Sequence, residues 1–146
     1  MRYRSYVKWM DTDYARVAHY QRFLSWVDDG FQTWCNARGI LFKEQIDQGI
    51  GWPLVDVSIQ YFRPMTLEDE VLVTMALKDV SAKGMTLDFT ISRSDGKTAA
   101  QGYLKRRFIS QHDMHGSEAS LDVQSILDEM QQEDADLELG QLPKQQ

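Results

Sequence analysis

The chain has 146 residues, a formal net charge of −6, 42% hydrophobic and 26% charged residues, and one cysteine. That length suits one domain with one core and leaves no room for a second full domain. No apolar run approaches the roughly 18 residues needed to cross a bilayer, and the acidic balance argues against nonspecific nucleic-acid binding, which needs a clustered basic surface.

The opening MRYRSYVKWM alternates polar and apolar residues and does not read as a secretory signal, so the expected compartment is the cytoplasm. Residues 3–9 predict a strand, with Tyr3, Ser5, Val7 and Trp9 on one side. From Tyr20 the apolar residues recur at 20, 23, 24, 27, 31, 34 and 35, the spacing of a helix that buries one broad face, and Gly39 follows as a stop. Cys35 lies on that face, where a thiol without a basic neighbour is a small core residue and not a nucleophile.

Strand patterns then follow in close order at 55–61, 71–80, 85–93 and 98–110. Ser94-Asp95-Gly96-Lys97 marks a tight hairpin, because Asp-Gly accepts positive backbone angles. Residues 111–132 read as a loop and a short helix with Ser120 as its N-cap. Residues 133–146 are acidic and poor in core-formers, which predicts a flexible tail. One long helix among strands joined by short connections favours an α+β domain over residues 1–110, with five antiparallel strands curling around the helix to cover it.

Among motifs, His19, His112 and His115 are too scattered for a metal site, and the sequence has no Walker loop, no GxGxxG and no GxSxG elbow. The stretch DTDYARVAHYQ remains. Asp11 and Asp13 suit a turn that caps the helix entry, a common use of aspartate. They equally suit a carboxylate held beside free helix N–H groups, where a base or nucleophile meets an oxyanion site.

The segment VKWMDTDYARVAHYQRFLSWVDDGF, together with YFRPMTLEDEVLVTM, resembles the hotdog-fold acyl-CoA thioesterases of the 4-hydroxybenzoyl-CoA thioesterase type over about residues 3–110. The resemblance implies a curled sheet around a central helix and hydrolysis of a coenzyme A thioester to free acid and coenzyme A. It places Asp13 on the catalytic carboxylate, as nucleophile or general base, and Tyr20 where a backbone N–H points at the thioester oxygen. His19 would line the acyl pocket, and Lys83 would fall near a basic position that meets the coenzyme A phosphates. The resemblance implies no metal and no cofactor beyond the coenzyme A of the substrate, and a homodimer or homotetramer whose sites form between subunits.

The sequence departs from the family's pattern in carrying Ala15-Arg16 where many members have a glycine. Asp28, within the helix, is the second carboxylate to consider, since another hotdog branch uses an acid there; its plainer role is a solvent-facing helix charge. A noncatalytic acyl or small-ligand binding protein on the same fold is the alternative function. An acyl dehydratase fits less well, because His19 and the acids share one segment.

Overall fold

The computed structural model describes residues 1–140. Strand β1 (Arg2–Tyr6) leads through a 3-10 turn (Trp9–Asp11) to helix α1 (Tyr20–Ala37), a short helix α2 (Phe42–Asp47) and strand β2 (Ile50–Gly51). Strands β3 (Leu54–Tyr61), β4 (Glu70–Ser81), β5 (Gly84–Ser92) and β6 (Thr98–Arg107) follow, then β7 (Ile109–Ser110), helix α3 (Leu121–Glu133) and β8 (Glu138–Gly140). The main sheet runs β3-β6-β5-β4-β1-β8, with β2 and β7 forming a separate pair.

Three expectations are corrected here: the make-up of the sheet, the flexible tail and the length of the first strand. The sheet has six strands, not five, and its last pair, β8 on β1, is parallel, with Arg2 opposite Glu138 and Arg4 opposite Gly140. The sixth strand comes from the segment expected as a flexible tail. Residues 133–140 are anchored by pairing and by the buried Asp134, neither of which local composition reveals. The part of that expected tail from 141 to 146 lies outside the described residues. The first strand is also shorter than its alternation suggested. Asp11 bends the chain at Lys8, its amide donating to Lys8 O and its carboxylate accepting from the Lys8 amide, both at 2.9 Å, so Trp9 turns out to solvent.

The alternation of β4 decides where the helices lie. Val71, Val73, Met75 and Leu77 are buried, while Thr74, Ala76 and Lys78 are exposed, so one face of the sheet is covered and the other is wet. Helix α1 crosses the covered face at Gly30, where a Cβ would stand 2.6 Å from Met75 Cε and 3.0 Å from Tyr3 Cβ. A side chain there would crowd the Met75 methyl and the Tyr3 side chain, which would have to give way. Phe23, Trp26, Val27, Phe31, Trp34 and Cys35 fill the interface, as the helical spacing requires. Helix α3 packs on the same strand β4 through Val123, Leu127 and Met130, so the sheet shelters two helices and not one alone.

The hairpin at Ser94–Lys97 forms as its sequence asks. Gly96 takes φ of 81°, and the Asp95 carboxylate accepts from the Lys97 amide at 2.9 Å. Ser120 caps α3, its hydroxyl accepting from the Val123 amide at 3.2 Å. The last predicted strand, 98–110, is interrupted at Phe108. That residue turns inward against Trp52, with ring centroids 4.9 Å apart, and its neighbour Ile109 starts the small pair with β2.

Candidate active site at the start of α1

The loop between β1 and α1 is built from the two aspartates. Asp11 is buried, and beyond its bond to Lys8 it holds a carboxylate oxygen 3.9 Å from Arg22 Nε, while its carbonyl accepts from the His19 amide at 3.0 Å. Its side chain closes the 3-10 turn and does not cap α1. Thr12 then pairs with Ala18 as an antiparallel bridge, and residues 13–16 form the tight turn at its end. Within that turn Asp13 donates its amide to Val17 O at 3.1 Å, and its carbonyl accepts from Arg16 at 3.0 Å.

The Asp13 carboxylate is divided in its duties. Its Oδ1 accepts from the Ala15 amide at 2.8 Å and from the Val17 amide at 3.4 Å, an arrangement typical of aspartate in turns. Its Oδ2 makes no hydrogen bond among the described residues. The side chain is thus fixed by one oxygen and left with the other to spend.

Arg16 completes the turn at φ of 63°, the left-handed region where glycine is at ease and other residues are strained by about 1 kcal/mol. The position where many resembling proteins carry glycine therefore keeps the glycine conformation without the glycine. The turn is tied down behind: Leu67 donates to Arg16 O at 3.0 Å and Ala18 donates to Met65 O at 2.8 Å, anchoring it to the segment that joins β3 to β4.

His19 is the N-cap of α1, with extended backbone angles, and its side chain does not cap. The first turn carries no acid either, so the amides of Tyr20 and Gln21 have no acceptor among the described residues. Such an open helix start carries partial positive charge and can polarise a carbonyl oxygen. Beside it lies an open cleft of about 320 Å³ whose sides include Tyr20, Phe23, Tyr61 and Phe62. Tyr61 fixes the cleft's shape: its hydroxyl donates to Tyr20 O at 2.9 Å and its ring meets Phe23 edge-on, centroids 5.1 Å apart. Tyr61 and Phe62 went unrecognised as site residues in the sequence. The alternation marks Tyr61 as apolar, but nothing local says that the end of β3 meets the start of α1.

The structure thus brings Asp13, His19 and Tyr20 to one loop, without a direct bond from Asp13 to either of the others. Lys83 stands elsewhere. It occupies the β4–β5 turn, where its amide donates to Ser81 Oγ at 3.1 Å and its carbonyl accepts from Phe108 at 3.0 Å. Strand β4 begins beside Tyr6, near the aspartate loop, and ends at this turn, so roughly 35 Å of strand separate the two. Lys83 borders its own cleft of about 420 Å³, together with Arg107.

The other reactive candidates are accounted for. Asp28 pairs with Arg106 at 2.9 Å; burial pushes its carboxyl above the usual range, and the guanidinium pulls it back. Cys35 is fully buried and desolvation pushes its thiol up, so it is inert. His115 and Asp113 shape the turn after β7, the His115 amide donating to Asp113 at 3.0 Å, and no group of three or more possible metal ligands forms among the described residues. No helix among the described residues is long and apolar enough to cross a membrane.

A family model, the thioesterase-like superfamily, matches residues 7–132. The chain belongs to the thioesterase-like superfamily. Its fold is the hotdog fold of that superfamily, and the enzyme class is thioester hydrolysis. One curated relative is the 1,4-dihydroxy-2-naphthoyl-CoA hydrolase of Synechocystis, 29% identical over 94 residues, which make up 64% of this chain and 68% of the relative. The crystal structure of a 1,4-dihydroxy-2-naphthoyl-CoA thioesterase from Synechocystis superposes with a TM-score of 0.82 at 23% identity, covering 88% of this chain and 96% of the other. A gentisyl-coenzyme A thioesterase gives a TM-score of 0.76 at 24% identity, with 87% and 99% covered.

Proposed function

We propose that this superfamily member hydrolyses an acyl-CoA thioester in the cytoplasm, with Asp13 as nucleophile or general base and the open amides at Tyr20 and Gln21 as the oxyanion site. The observation that carries this reading is the pairing of a half-buried carboxylate with one unspent oxygen and, in the same loop, a helix start that no side chain caps. The two amide bonds to Oδ1 hold the carboxylate in place, which leaves Oδ2 for chemistry.

As nucleophile, Oδ2 would attack the thioester carbon, the carbonyl oxygen would take up charge towards the helix start, and coenzyme A would leave as thiolate. The resulting mixed anhydride would then be hydrolysed by water. As base, Asp13 would take a proton from the attacking water. A thiolate leaves readily, so neither route needs a strong acid beside it. The imidazole of His19 and the rings of Tyr20, Phe23 and Tyr61 would border the acyl group. The reaction calls for no metal and no cofactor beyond the coenzyme A of the substrate. The aryl-CoA names of the relatives make aromatic acyl-CoAs the first panel to assay.

We further propose that the working unit is a homodimer, alone or paired into a homotetramer. Strand β3 is a sheet edge, and it exposes Leu54, Val55, Val57 and Tyr61, each 40 to 50% accessible, an edge of the kind that pairs with another chain. Antiparallel pairing of two β3 edges sets the Tyr61 end of one chain beside the Leu54 end of the other. Lys83 could then serve coenzyme A bound at Asp13 only from a second chain, as Lys83 of the partner subunit.

A second reading is favoured by one observation. Because Asp13 Oδ1 caps its own turn, the residue has a structural duty that a noncatalytic acyl-binding protein would also need. Asp13→Asn separates the two readings, since an amide oxygen can still accept from Ala15 and Val17. Thiol release from a panel of acyl-CoAs should fall at least a thousandfold in kcat with little change in Tm. Unchanged hydrolysis would exclude Asp13 as the reactive group, and no hydrolysis by the parent protein across the panel would favour the binding reading.

A further inference from the structure

Of the two amides at the open start of α1, one is touched from behind. The Gln21 N–H and the Tyr20 carbonyl are the two ends of a single peptide group, and Tyr61 donates its hydroxyl to that carbonyl at 2.9 Å. Donor and acceptor stand 41 residues apart in the chain, so the bond is a product of the fold and not of local sequence.

The bond fills no vacancy. Carbonyls without an intrahelical partner occur at the C-terminal end of a helix, whereas those of the first turn receive the amide four residues on. Tyr20 opens α1, so its oxygen already accepts from the Leu24 amide, and Tyr61 is a second donor to it. Donors on a carbonyl draw electron density along the peptide and leave its N–H more positive, a strengthening of about 10 to 30% per bond. Here that N–H belongs to Gln21, which has no acceptor among the described residues.

Tyr61 is well held for such a role. It ends β3 opposite Ala100 of β6, and the next amide, that of Phe62, donates to Ala99 O at 2.7 Å. Its ring meets Phe23 edge-on at 5.1 Å and Tyr20 edge-on at 6.3 Å between centroids, so it grips both sides of the first turn of α1. Burial, with the Tyr20 phenol nearby, pushes the Tyr61 phenol above its ordinary value, and the hydroxyl keeps its proton at neutral pH.

We propose that Tyr61 is a positioning residue for thioester hydrolysis: acting through the Tyr20 carbonyl, its hydroxyl holds the Tyr20–Gln21 peptide against the sheet and strengthens the Gln21 N–H as an oxyanion donor. This rests on the thioesterase reading. A donor of this kind meets the charge that develops on the thioester oxygen, so its strength enters kcat and leaves KM nearly untouched.

Tyr61→Phe keeps the ring and its edge contacts and removes the hydroxyl. It should lower kcat about three- to tenfold on an acyl-CoA that the parent protein hydrolyses, with KM within about twofold. The 15N resonance of the Gln21 amide, which follows hydrogen bonding at the carbonyl of its own peptide, should move further than that of any other amide in the first turn of α1. Because Tyr61 stands on the β3 edge, sedimentation should give the same mass for both proteins. An unchanged kcat, a loss carried by KM, an unmoved Gln21 resonance, or a fall in kcat that accompanies a change in mass would overturn the proposal. No hydrolysis by the parent protein would overturn the thioesterase reading and this proposal with it, whereas an active parent protein with an equally active Tyr61→Phe would overturn the proposal alone.

Discussion

The two ends of α1 are built on opposite principles. At its C-terminal end, Trp34 Nε1 donates to Asp134 at 2.7 Å, and Arg38 Nε donates to the same carboxylate at 2.9 Å while its terminal nitrogens also approach Glu129 and Glu133. Asp134 is buried, and its acceptors are answered by an indole and a guanidinium. At the N-terminal end the cap side chain is idle, Tyr20 is exposed, Arg16 is strained and one oxygen of Asp13 is unpaired. One end therefore locks α3 onto α1, while the other keeps its polar groups unspent. A fold that is secured at one end of a helix can leave the other end reactive.

The largest effect should come from breaking the closed end. Asp134→Ala removes the acceptor from both Trp34 and Arg38, and should cost about 3 kcal/mol in urea unfolding, with no loss of kcat in the fraction that remains folded. A cost below about 0.5 kcal/mol would mean that the cluster is not what holds α3 in place.

The same cluster gives a pH dependence. The Arg38 guanidinium beside Asp134 holds its carboxyl below the usual range, assisted by the Trp34 hydrogen bond and opposed by burial. A depressed carboxylate stabilises the fold fully above its unfolded pKa, near 4, and loses that contribution as pH falls through its folded value. Unfolding midpoints recorded from pH 5 down to pH 2 should therefore fall more steeply in the parent protein than in Asp134→Ala. Parallel curves would contradict this.

The smallest effect should come from the open end. Arg16→Gly removes the left-handed strain and should raise stability by about 1 kcal/mol, or a few degrees in Tm, against the usual penalty for a new glycine. A drop in Tm would show that the Arg16 side chain makes contacts worth more than the strain.

The closed end was the harder to read. Helix α1, strands β3 to β5, β6 as far as Arg107, the Asp95-Gly96 hairpin and the Ser120 cap all rest on spacings of a few residues, and they stand where those spacings put them. The pairing of β8 with β1 and the bond from Trp34 to Asp134 join residues about 100 or more apart, and an acidic, core-poor segment carries no local sign of either. At the open end, Asp13, His19 and Tyr20 share one loop and were legible together. The cleft beside them was not, because Tyr61 and Phe62 arrive from β3 by sheet topology. The separation of Lys83 from Asp13 belongs to the same class, since only the length and direction of β4 reveal it.

The division of labour along α1 is tested most directly by measuring kcat on one acyl-CoA substrate for Asp13→Asn and Asp134→Asn at equal folded fraction. The account predicts that Asp13→Asn loses at least a thousandfold while Asp134→Asn stays within about twofold of the parent protein. Comparable losses in both, or none in Asp13→Asn, would contradict it.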